Sequence, residues 1–145
     1  MPHQPPLHFV FYIAAPAEKV WDGFVSHESN RAIFGANLEA DLKPGGPMNW
    51  TGAGPEGKPV NYVHGEVLQA DPPTLLQYTF AVGPSTKFSR VTIELVPETE
   101  ATKVSVTHDQ WTEDDPGYTQ SADGWPRILS RLKTLIETGK TFKPH

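Results

Sequence analysis

The sequence predicts an α+β fold in which a curved antiparallel sheet wraps around one long helix near the end of the chain. Between Leu38 and Trp111, apolar and polar residues alternate with the period of two that indicates strands with one buried face. From Gly124 to Glu137, apolar residues instead recur at the i, i+3, i+4, i+7 spacing of an amphipathic helix. A single helix that follows a run of strands must bury its apolar stripe against the sheet that those strands form.

A strand and two short helices are predicted to come first. Residues 7–13 are rich in aromatic and β-branched side chains, which strands favour. Pro16 suits the first position of a helix, where its missing N–H costs nothing. Ser26 is a candidate N-cap for a second helix that runs through about Phe34. The apolar stripe of the first helix is Ala17, Val20, Trp21 and Phe24.

The sheet is predicted to contain about six or seven strands, counting the first. Short turn signals separate them, and one longer strand is predicted over about residues 60–70. Each strand has one apolar and one polar face, which is typical of an antiparallel sheet that is wet on one side. The inward positions in this pattern are Leu38, Ala40 and Leu42; Met48 and Trp50; Leu76, Tyr78 and Phe80; Val91, Ile93 and Leu95; and Val104, Val106 and His108.

The long helix contains a proline, so its start is open to two interpretations. Either it begins at about Gly124, or it begins near Gln120 and kinks at Pro126. We favour the kinked helix, because Ala122 continues the apolar stripe three residues before Trp125.

Length and charge bound the class of protein. A chain of 145 residues is one domain of ordinary size, predicted over 1–145 with flexible tails at 1–6 and 140–145. The net charge of −5 argues against nucleic acids and anionic membranes as partners. No segment resembles a signal peptide or reaches the roughly 18 apolar residues of a membrane span. A soluble cytoplasmic protein is therefore expected.

We interpret no motif of this sequence as a cofactor, metal or catalytic site. Residues 52–57 match the dinucleotide fingerprint G-x-G-x-x-G, but Lys58-Pro59 is no helix start, so we interpret the segment as a hairpin loop and expect no cofactor. The six histidines are not spaced as metal ligands, and there is no cysteine, so no metal site is expected. No G-x-S-x-G or H-E-x-x-H motif indicates a catalytic residue.

Aromatic side chains concentrate on the predicted inner faces. Each one taken alone fits ordinary core packing. Together, in the wedge-shaped space that a curved sheet leaves beside a helix, they resemble the apolar wall of a small-molecule site. The candidate ligand-binding residues are Phe34, Met48, Trp50, Tyr78, Phe80, His108, Trp111, Trp125 and Leu129.

Two histidines on predicted strands differ in their expected direction. His64 shares its parity with Glu66, so we expect it to point outward into solvent. His108 shares its parity with Val106 and should point inward. There it is either a buried histidine satisfied by neighbouring groups or a ligand contact, and we favour the first interpretation. It is also the one residue placed to act as a general base in the predicted cavity.

Four segments in a fixed order carry a resemblance to known proteins. They are residues 15–21 (APAEKVW), 41–46 (DLKPGG), 65–73 (GEVLQADPP), and Gly124-Trp125-Pro126 followed by Leu129 and Leu132. They resemble the START-like (SRPBCC) superfamily, whose helix-grip fold is that of the birch-pollen allergen. Within it they resemble the family named after the activator of the Hsp90 ATPase. The resemblance implies one helix-grip domain, with Phe34 at a pocket wall where the pattern often has tryptophan.

The resemblance implies three candidate functions. The first is non-catalytic binding of a lipophilic, aromatic or polycyclic molecule, such as a lipid, flavonoid or polyketide, and the apolar inner face favours it. The second is a polyketide cyclase or hydrolase acting in the same cavity, which needs a base that only His108 supplies. The third is contact with a chaperone, although 145 residues leave no room for the extra chaperone-binding domain of the eukaryotic activator. The oligomeric state is left open.

Overall fold

The computed structural model describes residues 3–143 and confirms the predicted α+β helix-grip architecture. Residues 1, 2, 144 and 145, at the ends of the two predicted tails, lie outside the described residues. In chain order the elements are β1 (Leu7–Ile13), α1 (Ala17–Val25), α2 (His27–Phe34), β2 (Asn37–Ala40), β3 (Met48–Ala53), β4 (Pro59–His64), β5 (Val67–Asp71), β6 (Leu75–Val82), β7 (Ser89–Glu98), β8 (Ala101–Asp109) and α3 (Tyr118–Thr138).

The tails and the extent of the domain stay predictions. At the N-terminal end, the His3 ring donates a hydrogen bond to the Trp111 carbonyl, and the Gln4 amide donates to the Thr112 carbonyl. These bonds connect the described start of the chain to the loop after β8.

The sheet is antiparallel throughout, in the order β1-β8-β7-β6-β4-β3-β2, and β5 also pairs with β6. Its eight strands exceed the predicted number because the long strand predicted over residues 60–70 is two strands. The break falls at Gly65, which lies so close to the Thr79 carbonyl that a Cβ there would overlap it. A glycine at such a position allows the backbone of one strand to lie close to the backbone of another.

The pairing of β4 with β6 is short, and this shapes the site described below. β7 and β8 share nine registered pairs, whereas β4 and β6 share two, Val63 with Val82 and His64 with Ala81. One further backbone bond, from Gly83 N to Tyr62 O at 2.8 Å, ends the contact. Beyond that bond β6 has ended, and β4 pairs with β3 alone.

The two short helices begin and end at residues with clear local roles. Pro16 stands immediately before α1, one position earlier than predicted. The Ser26 hydroxyl accepts a hydrogen bond from the Ser29 N–H at 3.1 Å and caps α2, as predicted. α2 ends at Gly35, whose φ of 73° is a left-handed conformation that glycine adopts without strain.

The last helix, α3, is continuous through Pro126. It begins two residues before Gln120, so the start at Gly124 is ruled out. Ser121 is buried and Ala122 is half-buried, so both residues continue the apolar stripe before Trp125. α3 is amphipathic, and no helix within residues 3–143 combines the length and hydropathy needed to cross a membrane.

The core lies between α3 and the inner face of the sheet. Trp125, Leu129 and Leu132 of α3 are buried there against alternate residues of three central strands. The predicted inward pattern of these strands is confirmed. Its buried members are Leu76, Tyr78 and Phe80 of β6, Val91, Ile93 and Leu95 of β7, and Val104, Val106 and His108 of β8.

The glycine-rich segment 52–57 is the hairpin between β3 and β4, as predicted. A short 3-10 helix at Pro55–Gly57 makes the turn, and β4 follows it directly. The strand–helix junction that would present backbone N–H groups to a pyrophosphate is therefore missing at this segment.

Candidate ligand-binding site

A cavity of about 200 Å³ lies between the first half of α3 and the paired ends of β4 and β6. It is the space that the sequence predicted between the last helix and the sheet. Its wall is formed by Phe34, Tyr62, Val63, Phe80, Val82, Gln120, Ser121, Gly124, Trp125 and Ile128.

The helical side of the cavity is one stripe of α3. Ser121, Gly124, Trp125 and Ile128 follow one another at i, i+3, i+4 and i+7, so they lie on the same face of the helix. Gln120 stands beside this stripe at the rim and is exposed. The stripe combines one large aromatic ring, one aliphatic side chain, one hydroxyl and one residue without a side chain.

The sheet side is formed by β4 and β6 at the end of their short pairing. Phe80 and Val82 lie two residues apart on β6 and so share a face. Val63 of β4 is the registered partner of Val82. Tyr62 is 43% exposed at the mouth, and its hydroxyl donates to the Ala53 carbonyl at 3.0 Å.

Gly124 leaves an open space in the cavity wall. A Cβ built on Gly124 would meet one neighbouring atom, Ile128 Cδ1, at 4.0 Å, which is ordinary van der Waals contact. Gly23 of α1 is different, because a Cβ there would lie 2.8 Å from both Leu132 Cδ1 and Ile136 Cδ1. Packing therefore explains the glycine at position 23 but not the glycine at position 124.

A shallow depression of about 600 Å³ adjoins the cavity on the outside. Tyr62, Val82 and Gln120 line both spaces, and we call this shared border the passage. The remaining wall of the depression is Asn61, Gly83, Pro84, Ser85 and Pro116.

The cavity wall carries no formal charge at neutral pH. Seven of its ten residues are apolar or glycine, and the others are Tyr62, Gln120 and Ser121. The Ser121 side chain is unusual, because the residue is only 7% exposed and its hydroxyl makes no hydrogen bond within residues 3–143. An uncharged ligand therefore meets a mostly apolar surface with one unoccupied polar group.

The nine predicted ligand-binding residues fall into two groups. Phe34, Phe80 and Trp125 line the cavity. The other six are buried in the core around it and are absent from its wall: Met48, Trp50, Tyr78, His108, Trp111 and Leu129. Contact of any of the nine with a ligand stays a prediction.

Trp50 and Tyr78 form an aromatic layer behind Phe34. The ring centroids of Phe34 and Trp50 are 5.4 Å apart, and those of Trp50 and Tyr78 are 5.5 Å apart. Trp50 Nε1 donates to Asn30 Oδ1 at 2.9 Å, and the Asn30 amide donates to the carbonyls of Phe24 and Ser26. Burial raises the pKa of the Tyr78 phenol far above its usual value, so the ring is neutral.

His108 is fully buried, and both of its ring nitrogens are occupied. Trp125 Nε1 can only donate, and it lies 2.9 Å from His108 Nδ1, so Nδ1 is an acceptor. Nε2 then carries the proton and donates to Ser89 Oγ at 2.7 Å, and that hydroxyl donates to the Phe80 carbonyl at 3.1 Å. Burial lowers the pKa of His108 to about 3. The geometry matches a satisfied core histidine, the interpretation that the sequence favoured.

Trp111 closes the core behind this histidine. Its Nε1 donates to the His108 carbonyl at 2.8 Å, and the two ring centroids are 4.0 Å apart. Its other face meets the edge of Tyr118, at 5.1 Å between centroids. The residue contributes packing to the start of α3.

His64 departs from the expectation that it is solvated. Its ring is half-buried, its Nε2 donates to the Ser85 carbonyl at 2.8 Å, and it packs edge-on against Phe88. The loop between β6 and β7 covers this part of the outer face, which the parity of the strand alone does not indicate.

Seven wall residues were missed by sequence reasoning: Tyr62, Val63, Val82, Gln120, Ser121, Gly124 and Ile128. A helical signal for three of them existed, since Ser121, Gly124 and Ile128 stand at i−4, i−1 and i+3 from Trp125. The strand residues had no such signal, because their place at the wall depends on where β4 leaves β6. Within residues 3–143, no group of three His, Cys, Asp or Glu side chains is arranged to hold a metal ion.

Solved structures share this fold across almost the whole chain. A protein from Nitrosomonas europaea is 21% identical, with 93% of this chain and 96% of that one covered and a TM-score of 0.75. A protein from Cytophaga hutchinsonii is 28% identical, with coverages of 96% and 98% and a TM-score of 0.75. DynU16, a protein in the dynemicin biosynthetic locus, is 22% identical over 96% of this chain and 49% of its own, with a TM-score of 0.73.

Sequence comparison identifies the family. None of the curated proteins matches the chain. Residues 14–137, from the end of β1 to the last turn of α3, match the family described as activator of Hsp90 ATPase homolog 1-like protein. Because the match spans most of the chain, the protein belongs to the family of activator of Hsp90 ATPase homolog 1-like proteins.

Proposed function

We propose that the protein binds a small lipophilic molecule with an aromatic ring in the cavity under α3, and that it does not transform it. The observation that carries the proposal is Gly124. Alanine is more stable than glycine inside a helix by about 1 kcal/mol, and no neighbouring atom excludes a Cβ at this position. A ligand that occupies the space in front of Gly124 would explain why glycine, and not alanine, stands at this position.

The volume of the cavity limits the size of the ligand. An engineered apolar cavity of about 150 Å³ holds benzene, and most ligand pockets measure about 300–1,000 Å³. A cavity of about 200 Å³ therefore takes one ring or a fused pair of rings. A flavonoid or polyketide-like polycycle would place one ring inside and extend through the passage into the outer depression.

The expected affinity is micromolar. A ligand of about ten non-hydrogen atoms gains roughly 0.8 kcal/mol per atom, inside the known range, and so about −8 kcal/mol in total. The apolar wall costs such a ligand little desolvation. It also has few groups that fix one orientation, so several ring compounds should bind.

Binding without chemistry fits the groups at the wall. A cyclase or hydrolase needs a general base within hydrogen-bond reach of its substrate. The wall offers a hydroxyl, an amide and a phenol, and the two nitrogens of His108 already have partners. The likeness in fold to DynU16, a protein in a biosynthetic locus, is consistent with a ligand of biosynthetic origin.

Contact with a chaperone is a second candidate, and the family match over residues 14–137 favours it. Such a contact uses the surface of the protein, whereas ring binding uses the cavity. A variant that fills the cavity separates the two functions, because it would leave a surface contact intact.

Isothermal titration with naphthalene, flavone, a sterol and palmitate tests the proposal, with amide chemical shifts to locate the ligand. Naphthalene should bind with a micromolar Kd and shift the amides of Phe80, Val82, Gly124 and Trp125. Gly124→Leu fills the space from the helical side and should abolish binding. Thr119→Leu adds the same side chain at an exposed position of α3 and serves as the matched control.

Two results would overturn the proposal. One is that no ring compound binds the wild-type protein. The other is that folded Gly124→Leu binds naphthalene as tightly as Thr119→Leu does.

A further inference from the structure

We infer that Ser121 makes the cavity selective for neutral rings that carry a hydrogen-bonding substituent, such as a phenolic hydroxyl or a ring carbonyl. The inference rests on the proposed function, because it concerns the same cavity. It adds the chemical class of the substituent and the residue that recognises it.

Ser121 is a buried residue of the cavity wall, and its hydroxyl is open to the cavity. The residue is 7% exposed, and no hydrogen bond of its side chain occurs within residues 3–143. Helical serines commonly bond back to the carbonyl four residues earlier. Here the Gly117 carbonyl accepts the backbone N–H of Ser121, and the hydroxyl makes no bond to it. The hydroxyl is therefore free for a group that enters the cavity.

Other buried hydroxyls of the chain show what a structural role looks like. Ser89 Oγ bonds to both His108 and the Phe80 carbonyl, and Thr102 Oγ1 donates to the Ala15 carbonyl at 2.7 Å. The Thr112 and Thr141 hydroxyls are buried without partners, but neither residue lines the cavity. Ser121 alone among these five combines an unpaired hydroxyl with a place on the cavity wall. A ligand substituent that enters the cavity would supply this hydroxyl with a hydrogen-bond partner.

The other two polar residues of the wall are less suited to this role. The Tyr62 hydroxyl already donates to the Ala53 carbonyl. Gln120 is exposed at the rim, where water satisfies its amide, so a ligand bond there exchanges one partner for another. Ser121 instead lies inside the cavity, where the ring substituent can reach its hydroxyl.

The wall also excludes charged ligands. No Lys, Arg or His side chain lines it, so a carboxylate inside the cavity would lose its hydration without gaining a cation. In the loop before α3, Asp115 adds a carboxyl group, and Asp114 is ion-paired with Lys87. Fatty acids and aromatic acids should therefore bind less well than neutral phenols of the same size.

Three ligands of one ring system test the inference: 2-naphthol, naphthalene and 2-naphthoate, titrated against the wild-type protein, Ser121→Ala and Ser121→Thr. The wild type should bind 2-naphthol about 3- to 10-fold more tightly than naphthalene, the span of one net hydrogen bond. It should bind 2-naphthoate most weakly. Ser121→Ala should reverse the preference, because the naphthol hydroxyl then enters without a partner, while Ser121→Thr should keep it. Thr119→Ala, on the exposed side of α3, is the control and should change nothing.

The outcomes separate the inference from the proposed function. If naphthalene does not bind the wild type, the proposed function fails. If naphthalene binds but Ser121→Ala leaves the ratio of the naphthol and naphthalene constants unchanged, only the inference fails. Tight binding of 2-naphthoate would likewise contradict the inference and leave ring binding intact.

Discussion

Replacing Gly124 with alanine should make the protein more stable and its ligand site smaller. Helix propensity favours alanine by about 1 kcal/mol, and the new methyl group meets only Ile128 Cδ1, at 4.0 Å. For 145 residues an unfolding entropy of roughly 2.1 cal/mol/K per residue converts this gain into a rise in Tm of about 3 °C. Calorimetry of the wild type and Gly124→Ala measures the rise, and titration with naphthalene measures the expected loss of affinity.

Gly23→Ala is the matched control, because position 23 is also a helical glycine. The same gain in propensity is opposed there by overlap with Leu132 and Ile136, each 2.8 Å from the new Cβ. Overpacking of a core typically costs 1–3 kcal/mol, so this variant should be no more stable than the wild type. The reasoning is refuted if Gly124→Ala lowers the Tm, or if both variants raise it equally.

Three further predictions concern the core that holds the site. Burial lowers the pKa of His108 to about 3 in the folded protein, against about 6.5 in the unfolded chain. Between these two pH values only the unfolded chain binds the proton. The free energy of unfolding is therefore highest above pH 6.5 and falls as the pH decreases, by up to about 1.4 kcal/mol per pH unit. Urea unfolding at pH 7, 5.5 and 4 should show a shallower fall for His108→Gln, and equal slopes would contradict the account. Asn30→Leu leaves the Trp50 N–H and the Phe24 carbonyl unpaired, while the Ser26 carbonyl keeps the backbone N–H of residue 30. The free energy of unfolding should fall by about 2–3 kcal/mol; a loss below 0.5 kcal/mol would show that the buried network is not formed. A chain ending before Trp125 loses most of the apolar stripe, at roughly 1.5–3 kcal/mol per large side chain, and should show no cooperative melting by circular dichroism, whereas a sharp transition would refute the arrangement.

The architecture was predictable because it depends on periodicity. Alternation at Leu76, Tyr78 and Phe80 places these side chains inward whatever the rest of the chain does, since successive residues of a strand point to opposite faces. The stripe through Trp125 and Leu129 likewise required a surface to cover it. Local spacing determined both, and the structure confirms both.

The wall of the cavity was less predictable, because it depends on where regular pairing stops. The residues of β4 and β5 read as one strand, and the close approach of Gly65 to Thr79 that divides them is a contact between distant segments. Ser121 and Ala122 both continue a stripe from Trp125, at i−4 and i−3. Polarity argued for burying the alanine, and the structure half-buries it but buries the serine more deeply. The burial of Ser121 depends on how α3 lies on the sheet, which no local pattern indicates.

For His108, too, the sequence predicts the direction of the side chain but not its hydrogen-bond partners. Parity alone pointed the side chain inward, and the general rule that buried polar groups are satisfied indicated a hydrogen-bonded histidine. The donors and acceptors themselves, Trp125 from α3 and Ser89 from β7, are 17 and 19 residues away in sequence. No local pattern links them.

The central claim is that a ring compound occupies the space under Gly124. A crystal structure of the protein with 2-naphthol tests it most directly. We expect the ring between the Gly124 backbone and Phe80, beside Trp125, with its hydroxyl within hydrogen-bond distance of Ser121 Oγ. Naphthol bound elsewhere on the protein, or a cavity closed by the side chains of Phe34 and Ile128, would contradict the claim.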